Sequence, residues 1–412
     1  MIDRYTSHEM GAVWSEPNKY AVWARVECEV MKAQGIRGTV PKDLWRALEL
    51  VVLPTPPQVE KQEAVLRHDL MAFLEAWRLN TDNVEIHRWL HFGLTSSDIV
   101  ETGQAVRMAQ ANWLILNAGY NLLDVLIEHA FEHRNTIRIG RTHGQAAEPT
   151  TWGYRVADFA FAINRGLERL VAASEGVQTA HISGPLGNYA HVSRAVELDV
   201  AKALDLAAPD SATQVLMRDS LGTWAYAMAS LATICDAVAL EVRHGQRQEV
   251  RELFEGKAPG QQGSSSMPHK TNPVTSEKIA GLARLARSYV MPITEGIVLW
   301  HERDISHSSV ERVALPDLSA IVEHILISTT DLVKSLGVNV AQMRYNVATH
   351  GSATMVSKYI REGLTRNEAY EKAKTGSRET CPPAGTEHVW DQLALLRHAL
   401  QEARTMAGVS QL

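Results

Sequence analysis

The stretch that decides the fold class is LGTWAYAMASLATICDAVALEV, from Leu221 to Val242. Its large apolar residues recur at steps of three and four, and the positions between them are rich in alanine. A helix with this pattern is apolar or small on most of its sides, which is typical of a helix inside a bundle. The residues at the repeating positions are Trp224, Met228, Leu231, Cys235, Val238 and Val242. This pattern predicts a long, buried helix.

Proline positions extend the helical prediction to most of the chain. No proline interrupts the intervals 58–148, 210–258 and 317–381, and each interval carries apolar residues at helical spacing. Proline inside a helix removes a backbone hydrogen bond and clashes with the preceding turn, so these intervals permit long helices. Alternating Val and Ile runs of strand type are scarce. We therefore predict an all-α protein whose helices exceed the roughly 11-residue average and are buried partly by partner chains.

Composition and charge fit a soluble enzyme and exclude other classes. The 412 residues are 45% hydrophobic and 21% charged, with 41 basic against 47 acidic residues. This mildly acidic balance gives no electrostatic basis for binding nucleic acid or anionic membranes. The cysteines, Cys28, Cys235 and Cys381, are far apart and odd in number, which indicates reduced thiols. The N-terminus is polar and no charge-free run has membrane-spanning length, so we expect a cytoplasmic protein.

Chemistry-bearing residues are concentrated in GSSSMPHKTNP, at 263–273. Its two prolines prevent a helix across the segment, and Asn272 before Pro273 predicts the N-cap of a new helix. A serine-rich linker is a poor alternative, because the chain returns at once to helical spacing in EKIAGLARLARSYV. A P-loop is excluded because His269, rather than glycine, precedes Lys270. The pattern therefore predicts a reactive loop that leads directly into a helix.

Four further polar segments interrupt the helical background. They are RHDL at 67–70, HFGLTSSDIVET at 91–102, GRTHGQAAEPTT at 140–151 and WHERDISHSSVER at 300–312. Taken singly, each has an ordinary structural explanation, such as a satisfied helix histidine, an N-cap cluster or an exposed turn histidine. The last segment is not a zinc helix, because a His-Glu-x-x-His motif would need histidine at Ile305.

These motifs occur together in one known family. Segment 263–273 resembles GSSxMPxKxNP, the signature loop of the fumarase, aspartase and argininosuccinase superfamily, at every fixed position. The four polar segments and the opening pair Arg4 and Tyr5 are similar, in the same order, to its adenylosuccinate lyase branch.

The resemblance implies a three-domain fold and a shared assembly. Its domains would be an N-terminal helical domain at 1–94, a central long-helix bundle at 95–340 and a short C-terminal helical domain at 341–412. The central domain would carry the signature loop at 259–273. Members of the family are homotetramers around a common helix bundle, and each active site is built from three chains.

The resemblance also implies catalytic roles in a β-elimination. Ser264 would be the base that removes a proton beside a carboxylate, and His143 would be the acid that protonates the departing nitrogen. Glu277 would be the charge partner of His143. Lys270 and Asn272 would hold the substrate's acid group, because the dianion formed on deprotonation must be met by positive charge and fixed donors.

Other residues are expected to bind the substrate. His68 would act near the phosphate or the leaving group, flanked by the binding candidates Arg67 and Asp69. Thr95 and Ser96 would bind the succinyl carboxylates, and Gln214 would help to hold the substrate. Forked guanidinium donors suit a nucleotide 5′-phosphate. The set expected to grip that phosphate is Arg4, Tyr5, Arg303, Ser308 and Arg312.

The implied reaction removes fumarate from adenylosuccinate and leaves AMP, with the same cleavage of the succinylated carboxamide ribotide SAICAR to AICAR in purine biosynthesis. No metal or organic cofactor is expected. Two alternatives stay open: a sister lyase for argininosuccinate, aspartate or a specialised succinyl or nitrosuccinyl compound, and a non-catalytic structural protein. Ser266 stands where close relatives commonly have alanine, so it competes with Ser264 as the base. Segment 381–390, CPPAGTEHVW, has no counterpart in the family pattern.

Overall fold

The computed structural model describes residues 2–256, 260, 267, 270–350, 355–375 and 385–406. The predicted base Ser264 and its competitor Ser266 lie outside the described residues, as do Cys381 and most of the signature loop. Helices account for 68% of the described residues, which confirms the all-α prediction.

The helices include several that are far longer than average. In chain order they are α1 His8–Trp14, α2 Glu16–Ile36, α3 Leu44–Glu49, α4 Pro56–Leu66, α5 Asp69–Arg78, α6 Val84–Trp89, α7 Ser96–Glu132, α8 Trp152–Val177, α9 Arg194–Ala203, α10 Asp219–Gly245, α11 Val274–Ser288, α12 Val290–Glu295, α13 Ser306–Lys334, α14 Val340–His350, α15 Met355–Arg361, α16 Arg366–Thr375 and α17 Glu387–Met406. A 3₁₀ turn covers Asp3–Tyr5. The strands are β1 Ile137–Thr142, β2 Gln145–Thr151, β3 Leu253–Phe254 and β4 Gly337–Val338.

The helix predicted from the alanine-rich stretch is α10. It extends a few residues beyond Leu221 and Val242 at each end, and all the residues at its repeating positions are buried. Tyr226 and Leu240, which lie between those positions, are exposed instead. The periodicity therefore identified both the helix and the side that it buries.

The described chain divides into two compact units. Unit 1 comprises Met1–Asn117, Glu168–Ser230 and Leu285–His324, and unit 2 comprises Ala118–Leu167, Leu231–Arg284 and Ile325–Leu412. The three-domain boundaries implied by the family resemblance stay a prediction. Residues with expected roles occur in both units.

Unit 1 has a large aromatic and aliphatic core. Tyr20 and Trp23 of α2 pack against Phe73 of α5, with ring centroids 5.4 and 5.7 Å from Phe73, and Trp77 extends the cluster. Burial of such side chains contributes on the order of 2–3 kcal/mol each. This core fixes the starts of α2 and α5 relative to each other, and both helix starts border the cavity described below.

Unit 2 contains the small sheets. β1 and β2 form an antiparallel hairpin that packs against α14, and β3 pairs with β4 through Leu253–Val338 and Phe254–Gly337. β3 ends directly before the signature loop, so its pairing fixes one end of that loop.

Two helices, α10 and α13, are long and apolar enough to cross a membrane on length and composition alone. Their apolar windows are 56% and 72% buried inside the protein, as in the core helices of a bundle. A buried core helix passes the same length test, so these helices are weak support for a membrane span.

Candidate active site

A cavity of about 280 Å³ in unit 1 brings together residues from three of the predicted motifs. It lies where α5, α7 and α13 begin, and the start of α2 closes another side. Helix N-termini present unpaired N–H groups and a positive dipole end, so this convergence favours an anionic ligand. The predicted site residues that line it are His68, Asp69, Ser96, Arg303, Ser308 and Arg312.

His68 is the N-cap of α5, with an extended backbone that places its ring over the first turn. Its Nδ1 accepts a hydrogen bond from the Met71 backbone N–H at 3.5 Å, and its Nε2 lies 3.2 Å from Ser96 Oγ. With its hydrogen on Nε2, the state that suits an accepting Nδ1, His68 donates to the serine hydroxyl. Two residues from separate motifs are therefore joined, and His68 has both a capping role and a position at the cavity.

The start of α7 is built around Asp98. Its carboxylate accepts the Thr95 backbone N–H at 2.8 Å and the backbone N–H groups of Ser183 and Gly184 at 2.9 and 3.1 Å. Burial raises the pKa of Asp98. Thr95 itself does not line the cavity, so in unit 1 this predicted binding residue acts as part of a helix cap.

Arg303 is held at the cavity by Gln214. Gln214 donates its amide hydrogen to the Pro185 carbonyl at 3.1 Å and accepts a hydrogen bond from Arg303 Nη1 at 3.1 Å. Arg303 Nε is buried and has no hydrogen-bond partner among the residues that the structure describes. Gln214 therefore orients a guanidinium group whose buried Nε–H has no acceptor in the described part of the chain.

Arg312 and Asp69, both predicted to bind substrate, pair with each other. Arg312 Nη2 lies 2.5 Å from Asp69 Oδ2, and the arginine side chain is largely exposed. The Asp69 side chain is only 20% exposed, so the carboxylate holds the exposed guanidinium at the edge of the cavity.

Arg4 and Tyr5 are not brought to this cavity within one chain. The Tyr5 ring lies edge-on to His324, with centroids 5.2 Å apart, and Ser7 donates to Glu323 at 2.8 Å. His324 is twelve residues beyond Arg312 on α13, which corresponds to about 18 Å along a helix. Arg67, the exposed C-cap of α4 with φ 54°, also does not line the cavity.

Motif reasoning missed a buried charge network behind the cavity. Arg218 is paired with both Glu101 and Glu311, and all three side chains are almost fully buried. Burial opposes the charge of Arg218, but the two carboxylates raise its pKa overall. His307 lies 3.2 Å from Glu311 and completes the group. The sequence did contain a signal for this network. Arg218 follows Gln214 closely, Glu101 lies in segment 91–102, and His307 and Glu311 lie in segment 300–312.

In unit 2, His143 lies at the tip of the β1–β2 hairpin. Thr142 pairs with Gln145, so His143 and Gly144 form a two-residue turn, with φ 54° and 73°. Positive φ at both positions is the type I′ pattern, which suits glycine and is tolerated by histidine better than by most residues. The register shifts between Ile139 and Arg141, which marks a β-bulge. The imidazole is exposed at the end of a defined element.

The hairpin is anchored near its tip by Arg141. This guanidinium makes a two-pronged contact with Glu252, at 2.9 and 2.7 Å, and the buried Glu252 carboxylate also accepts from Asn346 at 2.8 Å. Two parallel charge-assisted bonds fix orientation as well as distance. The turn that carries His143 is therefore tied to the segment that leads into the signature loop.

The end of the signature loop is also fixed. α11 begins at Val274, one residue after the predicted first helical position Pro273, and its first turn is capped by Glu255 rather than by Asn272. The Glu255 carboxylate accepts the backbone N–H groups of Thr275 and Ser276 at 3.0 and 2.7 Å, and the Ser276 hydroxyl at 2.6 Å. A carboxylate from before the loop thus caps the helix after it, which holds both ends of the loop together.

Three predicted site residues lie at this end of the loop: Lys270, Asn272 and Glu277. Lys270 is exposed, with its backbone N–H bonded to the Met267 carbonyl at 2.9 Å, and Asn272 is half-buried. Glu277 is exposed in the first turn of α11. Within the described ranges no ion pair joins Glu277 to His143, so their partnership stays a prediction.

One group in the described part of the chain has the spacing of a metal site: His129, Glu132 and His133 of α7. The Trp152 indole donates to His129 Nε2 at 3.0 Å, so the lone pair of that ring is occupied. Burial, and next the neighbouring His133, lowers the pKa of His129 to about 4. These contacts explain the cluster as a packed structural group at the end of α7.

Comparisons with known proteins agree with the motifs. A family model described as lyase matches residues 57–287, more than half of the chain. The adenylosuccinate lyase of Bacillus subtilis (strain 168) is 38% identical over 383 residues, covering 92% of this chain and 88% of that relative. The adenylosuccinate lyase of Deinococcus radiodurans is 40% identical over 381 residues, covering 90% and 87%.

A solved structure has the same fold. The fumarate lyase from Mesorhizobium sp. BNC1 has a TM-score of 0.80 at 22% identity, covering 91% of this chain and 86% of that one. At this identity the likeness establishes the fold alone. The family model, the extent of sequence identity and the order of the motifs together assign the chain. It belongs to the adenylosuccinate lyase branch of the fumarase, aspartase and argininosuccinase superfamily.

Proposed function

We propose that this chain removes fumarate from adenylosuccinate to leave AMP, and from SAICAR to leave AICAR. The observation that carries the proposal is the cavity of unit 1, where three helix N-termini meet and Arg303 keeps a buried donor without a partner in the described chain. A substrate with an anionic group supplies the missing acceptor.

The proposed elimination needs one base and one acid. Ser264 takes the proton from the carbon beside the carboxylate, the electrons of that C–H bond form the C=C bond of fumarate, and the C–N bond breaks. His143 gives a proton to the departing nitrogen. Lys270 and Asn272 stabilise the dianion that forms on deprotonation. Two observations support this assignment. The hairpin turn holds His143 at the tip of β1 and β2, and the Glu255 cap holds the end of the signature loop at the start of α11.

The substrate panel that tests the proposal contains adenylosuccinate, SAICAR, argininosuccinate and aspartate, assayed in parallel on purified protein by absorbance. We expect cleavage of the first two and no measurable cleavage of the others, because only phosphorylated substrates engage Arg303, Ser308 and Arg312. Preference for argininosuccinate or aspartate would favour the sister-lyase alternative. Absence of turnover on every substrate would favour a structural protein.

We further propose that the active form is a homotetramer, in the cytoplasm, with active sites shared between chains. Tyr5 lies beside His324, and neither Arg4 nor Tyr5 lines the cavity, so their predicted phosphate contact needs a cavity of another chain. Large apolar side chains are also exposed on the long helices, as expected of faces that partner chains cover. These are Trp113, Tyr226, Leu240, Val313 and Ile327.

The shared site is tested by mixing two inactive variants. Ser264→Ala and His143→Gln are each purified, dissociated, mixed and reassembled. If the two residues reach one site from different chains, some sites in the mixed tetramers contain neither substitution, and part of the activity returns. Light scattering confirms that tetramers have re-formed, and an affinity tag on one variant isolates the mixed tetramers. Failure to regain activity in confirmed mixed tetramers would count against this division between chains.

Arg303→Ala is expected to raise KM for adenylosuccinate by about 10- to 100-fold, with a smaller change in kcat. Loss of a charge-assisted contact to phosphate costs roughly 1.5–3 kcal/mol in binding. Steady-state kinetics measures the effect, with Arg46→Ala, an exposed arginine of α3, as the matched control. An unchanged KM would remove Arg303 from the phosphate site.

A further inference from the structure

His307 is a cavity residue to which the motif comparison gave no role. It lies in the first turn of α13, between Arg303 and Ser308 in sequence, and is 4% exposed. It lines the cavity, and its Nε2 has no hydrogen-bond partner among the described residues. A buried polar group without a partner is costly, so its presence at a cavity indicates a ligand.

The hydrogen bonds of Arg218 identify which nitrogen of His307 carries the proton. A guanidinium has five N–H groups and no acceptor. Four of them are taken by Glu311, by the two oxygens of Glu101 and by the Leu216 carbonyl. The fifth, on Nη2, points at His307 Nδ1 at 3.1 Å. Nδ1 therefore accepts, and the ring hydrogen is on Nε2.

Glu311 is compatible with this assignment. Its Oε1 accepts from Arg218 Nε at 3.0 Å and its Oε2 accepts from Gln104 at 3.1 Å, so both oxygens have donors without His307. In the other two protonation states Nδ1 carries a hydrogen and can donate to Glu311 Oε1, 3.2 Å away, but the fifth Arg218 hydrogen is then left without an acceptor. Only the neutral ring with its hydrogen on Nε2 gives all five Arg218 hydrogens an acceptor. In that state Nε2 is a donor.

We infer that His307 is an additional phosphate-binding residue, whose Nε2–H donates to the substrate's anionic group and whose orientation is fixed by Arg218. The inference rests on the proposed function, because it takes the cavity as the site of a phosphorylated substrate. It adds to that proposal a neutral donor beside Arg303. It also explains the Arg218 network. The guanidinium neutralises the buried carboxylates of Glu101 and Glu311 close to a site that binds an anion.

Two substitutions separate this role from a structural one. Glutamine can place its side-chain amide near the position of Nε2, whereas asparagine can place its side chain only near Nδ1. If His307 contacts phosphate, His307→Gln keeps most of the substrate affinity and His307→Asn loses it. If His307 serves only as an acceptor for Arg218, His307→Asn is the better replacement. The matched control is His398→Asn, an exposed histidine of α17.

The measurement compares ligands that differ only in phosphate. KM is determined for adenylosuccinate, the inhibition constant is determined for its dephosphorylated nucleoside, succinyladenosine, and calorimetry gives Kd for AMP and for adenosine. For His307→Asn we expect a roughly 10- to 100-fold loss with the phosphorylated ligands and little change with the nucleosides. Circular dichroism and light scattering verify that the variants fold and assemble.

The outcomes distinguish the inference from the function on which it rests. Equal losses for phosphorylated and unphosphorylated ligands, or better retention by His307→Asn than by His307→Gln, would overturn the inference while lyase activity stands. A wild-type protein that binds AMP more tightly than adenosine but cleaves no substrate would overturn the proposed function. In that case the AMP affinities of the two variants still decide the role of His307.

Discussion

His143→Gln is expected to lower kcat for adenylosuccinate cleavage by about 10²- to 10⁴-fold. A positioned general acid contributes a factor of this size, and glutamine cannot release a proton to the departing nitrogen. The turn at His143 and Gly144 is held by the hairpin register and by the Arg141–Glu252 contact, so the substitution should leave the hairpin in place. Steady-state absorbance assays measure kcat, and circular dichroism measures the fold.

His398→Gln is the matched control for this experiment, because it makes the same chemical change at an exposed position of α17. We expect it to retain the wild-type rate. A His143→Gln protein that turns over within a few-fold of wild type would exclude His143 as the acid.

Ser264→Ala is expected to reduce kcat by at least about a hundredfold, because it removes the group that takes the proton from carbon. Substrate binding should be affected much less, since Lys270 and Asn272 remain to hold the acid group. The rate of hydrogen exchange at the reacting carbon provides a second measurement, because it reports proton removal without requiring C–N cleavage. Both rates should fall together.

Ser266→Ala is the informative comparison, because the sequence leaves Ser266 as a competing base. We expect this variant to keep most of the activity, since alanine commonly stands at this position in close relatives. The reverse result, an active Ser264→Ala and an inactive Ser266→Ala, would transfer the role of base to Ser266.

Local sequence patterns predicted the helical framework well. Steps of three and four between large apolar residues identified α10, and the proline-free intervals contain the long helices α7, α10 and most of α13. Such patterns are reliable because helix periodicity, capping and turn chemistry depend on residues within about one helical turn of each other. The start of α11 was predicted for the same reason.

The residue that caps α11 could not be predicted from its neighbours in sequence. Asn272 precedes Pro273 as an N-cap residue would, yet the cap is Glu255, about twenty residues earlier in the chain. Gln214 is a similar case, since its amide orients Arg303 and bonds to the Pro185 carbonyl. Neither contact leaves a periodic or spacing signal, because each joins segments that meet only in the folded protein.

The sequence by itself determined the fold class, the family and the identity of the reactive motifs. Only the tertiary structure decided which motifs share a cavity, that Arg4 and Tyr5 lie apart from it in one chain, and that Arg218 neutralises Glu101 and Glu311 beside His307. The physical reason is that a buried charge is stabilised by partners that can be distant from it in sequence. A carboxylate can be buried only where other groups supply its counter-charge or its hydrogen bonds, and for Glu101 and Glu311 that pairing is settled by packing rather than by neighbours in sequence.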